Sequence, residues 1–424
     1  MVQNMGTGTF VEDHAYPLPR GQEKRATRTR SVDIPLLLTV VALLVFGLVM
    51  LYSASWDFSL QAYGDPLQMF GRQVIWMILG ILGAAFLARF DYHRWRKLAL
   101  LAMALTVILL ISVLLLSEIR FNARRSFFNG SVQPSELAKL ISIIYLAVWM
   151  FSKRQSLQSI QLGLIPLGMI LGIISGLIYL QPDLSAAGTV FLLGGLLFFL
   201  AGGDLKQITF LLIVALIGGW AVVRFSPTGA ERVEYFLSCI KDPTQASYHV
   251  LRSFEAIING GILGTGIGRG ETKLLDLPVP PTDSIFAVVA EELGLVGSVI
   301  LIGLYAALVW RGMVIARRAP DMLGTLLASG LALWLGLEAL INMAVMVGLM
   351  PFAGNALPFI SAGGSNLTVS LAAIGILLNI SRQSPLTGQA GITVEEGNDW
   401  RSFGAIVDLR WRNRRRRISR TRRA

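Results

Sequence analysis

An all-α integral membrane protein of about ten spans is what this sequence predicts, and three observations predict it. Of the 424 residues, 54% are hydrophobic and only 15% charged; soluble domains carry about 25% charged residues, so an ordinary globular enzyme is excluded. Ten apolar stretches come near the roughly 20 residues that a spanning helix needs: 34–53, 70–89, 96–117, 135–152, 160–180, 184–201, 206–224, 285–310, 321–349 and 360–380. Between them, loops with Lys and Arg alternate with loops that have none. The single Cys239 excludes an intramolecular disulfide, and His14, His93 and His249 lie too far apart in sequence to suggest a metal cluster.

The chain divides into a polar arm (1–33), a membrane domain (34–382) and a tail (383–424) that is Arg-rich from 410. The first span follows too long a polar arm, and lacks the small-residue cleavage site, to be a cleaved signal peptide. Arg28 and Arg30 precede it; Arg89, Arg94, Arg96 and Lys97 follow the second span, Lys153 and Arg154 the fourth; Lys206 precedes the seventh, and Arg311, Arg317 and Arg318 follow the eighth. Loops 54–69, 181–183 and 350–359 contain no Lys or Arg. The positive-inside rule then places both termini in the cytoplasm, consistent with an even number of spans. The stretch 321–349 is long for one span, which predicts tilt or a re-entrant end. Two outer loops break the charge pattern: 118–134, with Arg120, Arg124 and Arg125, and the long loop 225–284, with Arg232, Lys241, Arg252, Arg269 and Lys273. Connections that long are uncommon unless functional. The chemistry is therefore expected on the outer face.

Net charge is +11, but nine arginines and no acid lie in 410–424, so the rest of the chain is only +2. The balance does not point to nucleic acid. A cytoplasmic tail of that charge suits anionic inner-leaflet lipids or an acidic cytoplasmic partner.

Five segments carry the candidate chemistry. In Gln133-Pro134-Ser135-Glu136-Leu137-Ala138-Lys139, Pro134 suits a first helical turn. Glu136 and Lys139 then share a face at i, i+3, either as a pair locking the bundle or as the wall of a wet cavity. Gln181-Pro182-Asp183 reads most simply as a turn with Asp183 capping the sixth span. The run from Asn259 to Lys273 is rich in glycine, but it fits neither a Rossmann fingerprint nor a Walker A motif. It is either a tightly turned loop or an anion-binding nest of backbone N–H groups around Gly264, Gly266 and Gly268. In Leu277-Pro278-Val279-Pro280-Pro281-Thr282-Asp283, the prolines delay the eighth span to about Asp283, which is a helix cap or a general base at the cavity mouth. Glu291 lies eight residues on, about 12 Å along a helix, too far for a glycosidase carboxylate pair. Glu291 and Glu292 therefore read as buried hydrogen-bonding groups. Last, Glu338 and Asn342 fall at i, i+4, and the Pro- and Gly-rich segment 348–365, with Ser361 and Ser365, reads as irregular backbone lining a cavity.

In this order the segments resemble the SEDS family of bacterial cell-wall proteins, the FtsW, RodA and SpoVE type. The resemblance covers about 34–382 and is carried by Arg125, Gln133 to Lys139, Gln181 to Leu184, Gly260 to Lys273, Leu277 to Gly294, and Asn342 to Ser365. Where the family usually has His and Phe around its Thr-Asp, this chain has Pro281 and Ser284. It also has Ser126 for Trp, Arg252 and Glu338 for Gln, and Ala362 for Tyr.

The resemblance implies a peptidoglycan glycosyltransferase that polymerises lipid II into β-1,4 glycan outside the membrane, beside a class B penicillin-binding protein as transpeptidase. Under it Asp283 deprotonates the acceptor hydroxyl, while Arg124, Arg125, Lys273 and Arg252 meet the pyrophosphate of the lipid-linked donor together with the loop glycines. Glu136, Lys139, Asp183, Glu291, Glu292, Glu338, Asn342, Ser361 and Ser365 shape the cavity. No metal motif is present, although a divalent cation (Mg or Mn) is compatible with a pyrophosphate leaving group. The alternatives are a flippase for the same precursor, a non-catalytic scaffold for a partner synthase, and an O-antigen-ligase-like transferase.

Overall fold

The computed structural model describes residues 32–116, 133–274 and 277–384; all of the expected arm but its last two residues, and all of the expected tail but its first two, lie outside them. No strand occurs among the described residues. Each of the ten expected spans is helical, and the long loop contributes two more helices.

Helix α1 runs Ile34–Tyr63. Asp33 caps it by accepting from the Leu36 N–H (2.9 Å), and Pro35 fits its first turn. It runs ten residues beyond the expected end because nothing in 54–63 breaks a helix. Gly64, at φ +74°, then ends it in the left-handed conformation. Helices α2 (Gln68–Leu87), α3 (Trp95–Leu116), α4 (Pro134–Ser152), α5 (Ile165–Tyr179), α6 (Leu184–Leu200) and α7 (Leu205–Phe225) follow. Within the former loop stand α8 (Pro227–Lys241) and α9 (Tyr248–Gly260), and α10 (Ile285–Arg318), α11 (Met322–Met346) and α12 (Gly364–Gln383) complete the bundle. Among the described residues eight helices are long and apolar enough to cross a membrane; Leu184–Leu200 and Leu205–Ala221 are shorter apolar helices.

The centre is formed by α4, α11 and α12, whose apolar windows are 67%, 67% and 72% buried, against 11% for α2 at the periphery. Exposed Leu, Ile and Phe side chains stud the outer helices, as expected where lipid rather than water is the solvent. α11 ends at Met346, so the long stretch 321–349 resolves into one helix followed by irregular chain.

One end of the bundle gathers the basic loops. There Arg311 pairs with Asp33 (2.6 Å), and His93 lies between Asp91 (2.8 Å) and Asp321 (3.0 Å). The Arg96 guanidinium stacks on Phe151 at the end of α4 (4.2 Å). The opposite end carries α8, α9, the glycine-rich loop and the irregular segments 277–284 and 347–363.

A break in α10 was not expected. Gly294 takes φ +66°, ψ −163° inside the helix. Four backbone groups around the break find partners in the glycine-rich loop: Leu295 and Val296 donate to Gly261 O and Ile262 O, while Glu291 O and Glu292 O accept from Thr265 N and Gly266 N (2.9–3.2 Å). That satisfaction is what allows non-helical backbone inside a membrane bundle. A Cβ on Gly294 would lie 2.4 Å from Gly264 N, so only glycine permits the approach.

Candidate active site

Three polar groups form at or below the α8–α9 end, and they differ in how their polar atoms are used. The first is the α10 break. Glu291 Oε1 accepts from Glu271 N (3.0 Å), Thr272 N (3.0 Å) and Thr272 Oγ1 (2.7 Å). Glu292 accepts from Ser53 Oγ (2.6 Å), Gly268 N (3.0 Å) and Lys273 Nζ (2.6 Å). Both glutamates are 1% exposed, and the Lys273 side chain is 5% exposed. This corrects the expected pyrophosphate nest. Gly264 N donates to Gly260 O, Gly266 N to Glu292 O, and Gly268 N to the Glu292 carboxylate. The Lys273 ammonium sits on Glu292 and Ser53. A buried carboxylate needs donors, and this loop supplies them from within the protein. Of the two readings of the glycines, the tightly turned loop is the one observed; the reading of Glu291 and Glu292 as buried hydrogen-bonding groups holds.

The second group lies in the middle of the bundle. Lys139 Nζ bridges Glu136 (2.9 Å) and Glu338, and Asn366 Nδ2 donates to the other oxygen of Glu136 (3.0 Å). These side chains tie α4, α11 and α12 together. Nearby, Asp183 caps α6 through Ala186 N (3.1 Å), as its sequence context predicts. Its second oxygen accepts from Gln133 Nε2 (2.9 Å) and Ser135 Oγ (3.1 Å), and Gln133 N donates to Ser365 Oγ (2.8 Å). The start of α4 is thereby fastened to α6 and α12.

The third group surrounds Asp283. This residue is half-buried in the turn before α10; Ser284 holds the cap position of that helix and turns its hydroxyl to Pro278 O (2.8 Å). Asp283 is therefore not the helix cap. Its backbone is pinned from α11, where Asn342 Nδ2 donates to Asp283 O (3.0 Å) and Asn355 O (2.5 Å). It is pinned again from the segment before α12, where Ser361 Oγ donates to Thr282 O (2.6 Å) and Ala362 N to Pro281 O (2.7 Å). Gly354 faces the carboxylate, so closely that a Cβ there would lie 3.3 Å from Asp283 Oδ2. The structure thus brings Asp283, Asn342 and Ser361 together, with Glu338 one turn along α11 joining this group to the one below.

Arg252 stands apart on α9, paired with Glu255 (2.6 Å) and stacked on Tyr248 (5.3 Å). The Glu255 hydrogen bond pushes its pKa further up, so it stays a cation. Arg124 and Arg125 lie outside the described residues. α9 also presents His249, stacked on Phe352 of the irregular segment (4.2 Å). Burial, and secondarily the Arg232 charge, hold this imidazole below its ordinary pKa. Ser53 and Asn366 were missed from sequence; each is a neutral polar residue in an apolar helix, marked only by its buried partner.

Fold and site together define an integral membrane protein with a carboxylate rigidly mounted where irregular backbone replaces helix. The chain belongs to the cell cycle protein family of FtsW, RodA and SpoVE, whose profile matches residues 35–385. It is 38% identical over 373 residues to the probable peptidoglycan glycosyltransferase FtsW of Trichlorobacter lovleyi, covering 86% of this chain and 98% of that one. It is 35% identical over 365 residues to the stage V sporulation protein E of Bacillus subtilis, covering 84% and 99%. Among solved structures, a chain of a peptidoglycan synthase complex that coordinates polymerization and crosslinking superposes with a TM-score of 0.68 at 30% identity, covering 83% of this chain and 98% of that one. The Thermus thermophilus rod shape determining protein RodA does so with 0.62 at 28%, covering 84% and 98%.

Proposed function

We propose that this chain is a peptidoglycan glycosyltransferase that polymerises lipid II into β-1,4 glycan, in cell division or elongation, with Asp283 as general base. The observation that carries the reading is the mounting of Asp283: a carboxylate whose backbone is fixed from two other elements in irregular chain, in a family whose relatives bear this activity by name. A base held in place supplies two large terms, proton transfer of about 10²–10⁴-fold and orientation of the acceptor. The acceptor 4-hydroxyl gives its proton to Asp283 and attacks the anomeric carbon of the donor; the bond to the pyrophosphate oxygen breaks with inversion, and undecaprenyl pyrophosphate departs.

The departing pyrophosphate needs positive charge. Arg124, Arg125 and Arg252 are the cations assigned to it, Lys273 being committed to Glu292. A Mg or Mn ion accompanying the pyrophosphate would reduce the charge on the leaving group. Among the described residues no three His, Cys, Asp or Glu side chains gather to hold a resident metal. Asp283 is a carboxylate that would hold such an ion at this end of the bundle. Glu136, Lys139, Glu338, Asp183 and Ser365 hold the floor of the cavity by fastening α4, α6, α11 and α12.

By the positive-inside rule the end with the basic loops faces the cytoplasm, with both termini, and the Asp283 end faces outward. The polymerase works beside a class B penicillin-binding protein, a reading supported by the synthase complex among its structural neighbours. The Arg-rich tail binds anionic inner-leaflet lipids or an acidic cytoplasmic partner. The test uses purified chain, with and without that partner, and labelled lipid II, the products being separated by size. Polymer from the parent and none from an equally folded Asp283→Ala protein is expected. Full polymerisation by the variant overturns the site, and lipid II crossing vesicles without polymer overturns the activity.

A further inference from the structure

α2 is the most peripheral of the long helices, yet it contains a glutamine that is only 4% exposed. The Gln73 side chain reaches the irregular segment before α12 and makes two bonds there. Its Nε2 donates to Ser361 O (3.1 Å), and its Oε1 accepts from Gly363 N (3.1 Å). Only one orientation of the amide serves both partners, because a backbone N–H can only donate and a backbone carbonyl can only accept. One turn further on, Trp76 packs against Gly364 so closely that a Cβ there would lie 2.5 Å from the indole nitrogen. The helix meets this segment with a polar clamp and a ring laid over its end.

The residues it clamps are the ones that hold Asp283. Ser361 lends its carbonyl to Gln73 and its hydroxyl to Thr282 O (2.6 Å), while receiving Leu357 N (2.8 Å). Ala362 N donates to Pro281 O (2.7 Å). The backbone on both sides of this junction is strained: Phe359 has φ +69° and Val279 φ +46°, left-handed values that neither a bulky nor a β-branched side chain favours. Strained backbone persists only where its surroundings over-determine it. Behind Phe359 the chain is already pressed against α1, where a Cβ on Gly47 would lie 2.4 Å from Phe359 O. On the open side, Gln73 supplies the two bonds that fix residues 361 and 363.

We propose that Gln73 is a positioning residue for the reaction: it acts through Ser361 and Ala362 to hold the Thr282–Asp283 backbone where the carboxylate meets the acceptor hydroxyl. The inference rests on the reading of Asp283 as the base. Gln73→Leu keeps the size of the side chain and removes both bonds. The base then wanders while the substrate contacts stay, so kcat falls and KM does not. A misplacement of about 1 Å costs on the order of 100-fold, and a 10- to 100-fold fall is expected.

The experiment measures lipid II polymerisation by the full-length chain with its transpeptidase partner, at equal amounts of folded protein. Gln73→Leu, Ser361→Ala, their combination and Asp283→Asn are compared. The proposal expects Gln73→Leu to lose about 10- to 100-fold in kcat with KM within about twofold. It also expects the combination to lose much less than the product of the two single losses, because both act through one segment. A Gln73→Leu protein with parental kcat, or one that loses only its folded yield, overturns the proposal while Asp283→Asn stays inactive. If Asp283→Asn polymerises normally, the base assignment itself fails, and the inference falls with it.

Discussion

Two carboxylate-bearing stretches lie eight residues apart along the same chain and are held in different ways. At the α10 break both glutamates are buried: Glu292 takes Ser53, Gly268 N and Lys273, and Glu291 takes Glu271 N and Thr272 on one oxygen, its other oxygen having no partner among the described residues. At the turn before α10, Asp283 is half-buried, and the hydrogen bonds that fix it from α11 and the segment before α12 fall on the backbone of residues 281–283. The two differ in how they are held: Glu292 through its carboxylate, Asp283 through the backbone around it, with Gly354 beside its side chain; the proposed function assigns the chemistry to the second.

The largest effect is expected at Asp283. Asp283→Asn preserves shape and removes the base, so polymerisation should fall by about 10²–10⁴-fold with the melting temperature unchanged. Lys273→Met should act the other way, on stability. It leaves the Glu292 anion buried beside Ser53, a loss of about 3–5 kcal/mol, read as a fall in melting temperature in detergent. Adding Glu292→Gln should recover most of that loss. The amide still accepts from Gly268 N and donates to Ser53, and no buried charge remains.

Gly294→Ala comes next. The alanine meets a positive φ, strain of about 1–3 kcal/mol, and its Cβ crowds Gly264 N. The glycine-rich loop should loosen, seen as faster hydrogen exchange at Thr265 and Gly266. The smallest effect concerns His249. Burial and the Arg232 charge depress its folded-state pKa, so the unfolded chain binds more protons as pH falls below the ordinary histidine value near 6.5. Stability is full above about pH 7 and declines below about 6.5; His249→Phe, which keeps the stack on Phe352, should flatten that acid-side decline in a melting series.

Much of this was legible in sequence. Apolar length places the ten helices of the expected spans but neither α8 nor α9, and the family resemblance singles out Asp283, Glu136, Lys139, Asn342 and Ser361. The residues that escaped did so for a physical reason. Gly294 interrupts a stretch long and apolar enough to read as one span, because hydropathy does not record the direction of hydrogen bonds. Ser53, Gln73 and Asn366 are uncharged residues whose importance comes from partners far along the chain; Gln73 meets residue 361 across 288 positions. Lys273 and the loop glycines misled in the opposite sense. Their composition fits an anion site, but an internal anion, Glu292, already occupies it.

Under the proposed function, Asp283 carries the chemistry while Glu291 and Glu292 serve the fold. One comparison of initial polymerisation rates tests it, with labelled lipid II and equal amounts of folded protein bearing either Asp283→Asn or Lys273→Met with Glu292→Gln. The proposed function leads to polymer from the double variant within about tenfold of the parent, and none from Asp283→Asn beyond the residue that positioning alone sustains. Polymerisation by Asp283→Asn at the parental rate, with the double variant folded and silent, would contradict it.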